Sequence, residues 1–154
     1  MTLSVEDEML AAIQTLPSGL RERAAELPFP QLHNACLACD LELITALIKA
    51  GLTADMYPCT DDEDDQPPLV WMAEHYDGEI KLAKKTIDLL LQLGADADEG
   101  CPLLVAAERG HAELVGVFLA VGADAEEALA DGPSTEAEEL ILRVQAGLGP
   151  VSRV

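Results

Sequence analysis

The feature that most constrains this chain is that it repeats itself. Pro102-Leu103-Leu104-Val105-Ala106-Ala107-Glu108-Arg109-Gly110-His111 runs on into Ala112-Glu113-Leu114-Val115-Gly116-Val117-Phe118-Leu119 and then Gly122-Ala123-Asp124. Upstream, Pro68-Leu69-Val70-Trp71-Met72-Ala73-Glu74 restates the first part, and Ile87 to Asp98, with its Gly94-Ala95-Asp96, restates the second. Leu32-His33-Asn34-Ala35-Cys36 and Leu43 to Asp55 do so again. The leading leucines Leu32, Leu69 and Leu103 stand 37 and then 34 residues apart. A period in the thirties belongs to helical hairpins that cannot bury an apolar face alone and so stack on their neighbours.

Each unit reads as two short helices and a connection. Pro68 and Pro102 suit a first helical turn, where the missing N–H has no partner to lose. The small residues Ala73, Ala106 and Ala107 let the two helices of a hairpin approach closely. Ile87, Leu90 and Leu91, like Leu114, Val115 and Phe118, form an apolar stripe at helical spacing. Gly51, Gly94 and Gly122 stand where a helix stops and the backbone turns left-handed.

These residues resemble the ankyrin-repeat family, whose pattern is Thr-Pro-Leu-His, paired Ala, Gly-His, a Leu-rich second helix and Gly-Ala-Asp. Pro102 to Ala125 matches it most fully. Leu32 to Asp55 has Cys39-Asp40 in place of Gly-His and Leu52-Thr53 after its glycine. Pro68 to Asp98 carries about six extra residues between its helices. The family's threonine is replaced by Pro30, Pro67 and Cys101. The resemblance implies an all-α ankyrin-repeat solenoid of stacked helix-turn-helix units in a single domain. Its parts are an N-terminal helical cap (1–29), three units (30–66, 67–99 and 100–126), and a degenerate C-terminal capping repeat and tail (127–154).

Such a stack needs caps to cover its end faces. Ser4 with Asp7 reads as a capping-box start, followed by the apolar face Met9, Leu10, Ile13 and Leu16. Pro17-Ser18 breaks it, and residues 18–27 read as a second short helix. Pro133-Ser134-Thr135 precedes Leu140, Ile141, Val144 and Gly147, with Glu136, Glu138 and Glu139 on the outer side. Residues 149–154 read as a loose tail.

Charge narrows the partners. Nine bases against twenty-nine acids give a formal net charge of −20, which repels phosphate backbones and anionic lipid. Direct nucleic-acid and membrane partners are therefore not expected. With 49% apolar residues the chain affords a core without disulfide staples, so Cys36, Cys39, Cys59 and Cys101 are expected to be reduced thiols. The start of the chain carries no basic region with an apolar run behind it, and no 18-residue apolar stretch occurs, so a cytoplasmic location is expected.

Catalytic motifs are missing: there is no Gly-x-Ser-x-Gly elbow, no phosphate-cradling loop and no His-Glu-x-x-His. Neither an enzyme nor a cofactor is expected. His33-x-x-Cys36-x-x-Cys39, with Cys59 beyond, has the ligand types of a zinc site. The repeat frame nevertheless puts Cys36 at the small buried position of Ala107, so the cysteines read as small hydrophobes and no metal is expected. Asp61-Asp62-Glu63-Asp64-Asp65 fails as a calcium loop, because Gln66 stands at the glycine position and Met72 at the last glutamate. Two readings of this run remain, a solvated loop and a contact for a basic partner.

The candidate partner-binding residues are therefore Asp61, Asp62, Glu63, Asp64 and Asp65, together with Trp71, Glu74, His75, Glu108 and Arg109. The resemblance implies that the acidic connection projects as a finger beside a concave surface. Trp71 would fall on that surface, level with Asn34 and Val105, either as a binding anchor or packed on Tyr76 or the inserted segment. Lys81, Lys84 and Lys85 read as a solvated helix face. The function expected is a non-enzymatic module, monomeric when free, that docks a basic protein on its acidic concave face and loop tips. The chain looks like the short acidic ankyrin proteins of bacterial appearance that include immunity proteins acting on a cognate toxin. A scaffold or regulator without inhibitory role, and a metal-binding protein, are the alternatives.

Overall fold

The computed structural model describes residues 5–28, 30–57 and 66–153. Among them lie ten α-helices and no strand. The first two are α1 (Val5–Gln14) and α2 (Ser18–Ala25). Three pairs follow: α3 (Gln31–Leu37) with α4 (Leu41–Lys49), α5 (Pro68–His75) with α6 (Ile80–Gln92), and α7 (Pro102–Glu108) with α8 (Ala112–Ala120). The chain ends in α9 (Ala125–Ala130) and α10 (Thr135–Arg153). No helix among the described residues is long and apolar enough to cross a membrane.

The boundaries have local causes. α5 and α7 begin at Pro68 and Pro102, where a fixed φ and a missing donor cost the helix nothing. α4, α6 and α8 are each followed by a glycine at positive φ: Gly51 at 124°, Gly94 at 111° and Gly122 at 100°. A side chain is strained there. The α3–α4 and α7–α8 connections use one solution with different residues. Cys39 (φ 56°) or Gly110 (φ 78°) makes the left-handed step. Asp40 Oδ1 then accepts the Leu43 N–H at 3.2 Å, and His111 Nδ1 accepts the Leu114 N–H at 3.2 Å. Each caps a second helix by satisfying a donor left over at its N-terminus.

The first helix of each pair packs on the next: α3 against α5, α5 against α7, and α7 against α10. Leu32, Leu69 and Leu103 occupy matching positions and are buried, as are Ala35, Met72 and Ala106. The second helices contribute Leu43, Ile44 and Leu47, then Ala83, Ile87 and Leu90, then Leu114, Val115 and Phe118. One continuous core results, and each fully buried leucine adds roughly 2–3 kcal/mol of transfer free energy.

Three expectations are corrected. Leu10 is 46% exposed, because the buried face of α1 runs through Met9, Ala12 and Ile13 and Leu10 lies about 100° off it. The extra residues of the second unit lie mainly within a helix rather than between helices. α6 has 13 residues against 9 in α4 and α8, and its added turn presents Lys81, Leu82, Lys84 and Lys85 to solvent. Finally, α10 continues to Arg153 through the span read as a tail, glycine's helix penalty of about 1 kcal/mol being a weak prior.

Candidate partner-binding face

Asn34 on α3, Trp71 on α5 and Val105 on α7 fall at corresponding positions, and all three are half-buried. Asn34 ties two of the helices to their surroundings. Its Nδ2 donates to Pro28 O at 3.0 Å, and its Oδ1 accepts the Trp71 Nε1–H at 3.4 Å. The indole sits between two imidazoles: His33 meets it edge-on at 5.6 Å and 83°, and His75 lies tilted at 4.6 Å and 58°. His33 is buried, and its Nε2–H donates to Gln66 O at 2.7 Å. His75 is exposed. Trp71 therefore has one polar tether and part of an apolar ring open to solvent, the makeup of an interface anchor.

Tyr76, the alternative packing partner for Trp71, is turned inward. Its hydroxyl donates to Glu79 O at 2.5 Å and accepts the Cys39 thiol at 3.7 Å. Burial, aided by the bond to Cys39, pushes its phenol up to about 12.

Below Trp71 on the same helix, Glu74 borders a hollow of about 390 Å³ between α5 and α7, whose other walls are Leu104, Val105, Glu108 and Arg109. Two of its three charged groups are held within the chain. Arg109 donates to Tyr76 O at 2.6 Å and Ala73 O at 3.3 Å, and pairs with Asp77. It thus closes off carbonyls at the C-terminal end of α5, where a cation is favoured. Glu108 accepts the Ser134 N–H at 3.0 Å and the Ser134 hydroxyl. Those bonds hold the Glu108 carboxyl below its ordinary value. Ser134 Oγ in turn accepts the Ala137 N–H at 3.2 Å in the first turn of α10. Glu74 is exposed and has no hydrogen bond or ion pair among the described residues.

No family model matches the chain, and no curated protein matches it.

The structure therefore brings Trp71, His75 and Glu74 onto one stretch of α5, opposite Glu108 and Arg109 at the end of α7. Asp61, Asp62, Glu63, Asp64 and Asp65 lie outside the described residues, as do Ser4 and Cys59. The described members of the zinc-type set, His33, Cys36 and Cys39, do not converge. Cys36 is buried and its thiol is pushed far up by that burial, Cys39 is engaged with Tyr76, and His33 is engaged with a carbonyl. Among the described residues no group of three or more His, Cys, Asp or Glu is placed to hold a metal ion.

One feature has no local signature in the sequence. Asp55 accepts the Asp96 N–H at 2.9 Å, Asp96 Oδ1 accepts the Asp98 N–H at 2.9 Å, and Asp98 Oδ1 accepts the Asp124 N–H at 2.8 Å. In the first and last of these bonds a carboxylate of one connection receives a backbone donor of the next. The recurring Ala-Asp after each glycine is the only hint, and reading it requires knowing which connections are neighbours. The clasp of Glu108 on Ser134 and the role of Leu104 in the hollow depend on the same knowledge.

Proposed function

We propose that the chain is an ankyrin-type solenoid that serves as a non-enzymatic protein-binding module, docking a basic partner on the concave face formed by α3, α5 and α7. The observation that carries this reading is Trp71. Three stacked helices present matching positions outward, and the middle one bears the chain's sole tryptophan, tethered by Asn34 yet partly open to solvent. Exposed Glu74 and the net charge of −20 supply the complement to a cationic partner. Long-range charge steers the encounter, and a desolvated aromatic anchor supplies lifetime. The acidic run from Asp61 to Asp65 supplies five of the twenty-nine acids behind that net charge.

An immunity-type role, in which this face blocks the substrate groove of a basic, nucleic-acid-degrading toxin, is the specific form that the charge favours. The partner is tested by affinity capture from source-cell lysate with the wild type, with Trp71→Ala, and with Asp61–Asp65 changed to Asn and Gln. A basic protein retained by wild type and lost from both variants supports the reading. Equal retention by all three refutes the face, and a captured protein that is acidic refutes the charge argument. Inhibition of the captured protein's activity separates an inhibitor from a scaffold.

A further inference from the structure

We infer that the hollow between α5 and α7 is the seat for one long cationic side chain, arginine or lysine, of the basic partner. This rests on the binding-face reading above and assigns to it a specific contact. The hollow has the two surfaces such a side chain needs. Leu104 and Val105, both half-buried, offer an apolar wall for the methylene stem, which long cationic side chains lay along apolar surface while the head group stays near water. Glu74 stands at its edge with no hydrogen bond or ion pair among the described residues, so of the hollow's three charged groups it is the one left uncommitted.

The other two charged groups fix the sign of the site. Arg109 would repel a cation, but its guanidinium is bound to Asp77 and to the Tyr76 and Ala73 carbonyls. Glu108 gives its oxygens to Ser134 and remains ionised, with its carboxyl held below its ordinary value. Each carboxylate oxygen has a second lone pair, so Glu108 still attracts a cation. Two carboxylates and a neutralised arginine leave the hollow negative. Three of the five guanidinium N–H donors of Arg109 are already in use within the chain, and the two carboxylates would repel an anion.

The test is NMR titration of the ¹⁵N-labelled protein with three blocked pentapeptides, Gly-Gly-X-Gly-Gly, where X is arginine, lysine or citrulline, and with the basic decapeptide (Arg-Gly)₅. Arginine and lysine peptides are expected to shift the amides of Glu74–Asp77 and Leu104–Arg109, while the neutral citrulline peptide leaves them in place. Glu74→Gln should weaken the arginine peptide about three- to fivefold, the scale of one exposed ion pair. Val105→Lys, which fills the hollow with the chain's own cation, should abolish the shifts. Glu113→Gln, an exposed acid on α8, should change nothing. If (Arg-Gly)₅ moves the Trp71 indole signal but binds Glu74→Gln and Val105→Lys as tightly as wild type, the seat is wrong and the binding face stands. If it moves neither that signal nor any amide of α3, α5 and α7, both are wrong.

Discussion

Asp55 and Glu108 perform the same mechanical task and are affected by it in opposite ways. Each is a carboxylate that accepts a backbone N–H from a later part of the chain, Asp55 from Asp96 and Glu108 from Ser134. Yet the Asp55 carboxyl is held above its ordinary value and the Glu108 carboxyl below it. For Asp55 the largest influence is burial, which the bond to Asp96 offsets only in part, and the charges of Glu99 and Asp96 add to the rise. Glu108 is exposed, so its two bonds to Ser134 dominate. A hydrogen bond does not by itself decide whether a charge favours folding. The water lost in making it does.

The largest expected effect comes from the core rather than from either carboxylate. Leu103→Ala in α7 should cost about 2–5 kcal/mol by denaturant unfolding, more than any polar change at the junctions. A smaller loss than that of Ser134→Ala would mean that hydrogen bonds rather than packing join the units. Ser134→Ala itself removes the α10 cap and one bond to Glu108, and should cost about 1 kcal/mol.

The two carboxylates should then separate. Asp55→Asn keeps an acceptor for the Asp96 N–H while deleting a charge that faces Glu99 and Asp96, so the thermal midpoint at neutral pH should rise slightly. Glu108→Gln keeps an acceptor too, but loses the charge assistance, and its midpoint should fall. Equal shifts of one sign in both variants would erase the contrast.

The smallest effect is the most diagnostic, because the pH windows differ in sense. Glu108 is more acidic folded than unfolded. Its contribution is therefore complete above the ordinary value of 4.5 and is lost as pH falls through the lower folded value. Asp55 is less acidic folded than unfolded. Its protonation thus favours the folded chain fully below the ordinary value of 3.8, and that benefit disappears as pH rises through the raised folded value. Melting wild type, Asp55→Asn and Glu108→Gln between pH 3 and 7 should show the wild-type advantage over Glu108→Gln shrinking with acid. The deficit against Asp55→Asn should shrink with it.

Much of the helical organisation was legible because it is written locally. Prolines at 68 and 102 open helices, and glycines at 51, 94 and 122 close them. Matching leucines then mark the buried faces. Trp71 was legible as a residue level with Asn34 and Val105, but not as one held between His33 and His75, since those contacts need the rotation of α3 against α5. The added turn of α6 was invisible for a related reason. Periodicity tells how many residues separate two stripes, not whether they are wound as helix or left as loop. Glu108 and Arg109 read only as candidate partner-binding residues because their contacts within the chain, Ser134 and the end of α5, are 26 and 33 to 36 residues distant.

The junction bonds also carry an order in time. In each, the acceptor is a side-chain carboxylate that comes earlier in the chain and the donor is a backbone N–H that comes later: Asp55 before Asp96, Asp98 before Asp124, Glu108 before Ser134. A chain is made from its N-terminus. A carboxylate that emerges first waits comfortably in water, whereas a backbone donor buried without an acceptor would be costly. Each of these three backbone donors is therefore made after the carboxylate that receives it.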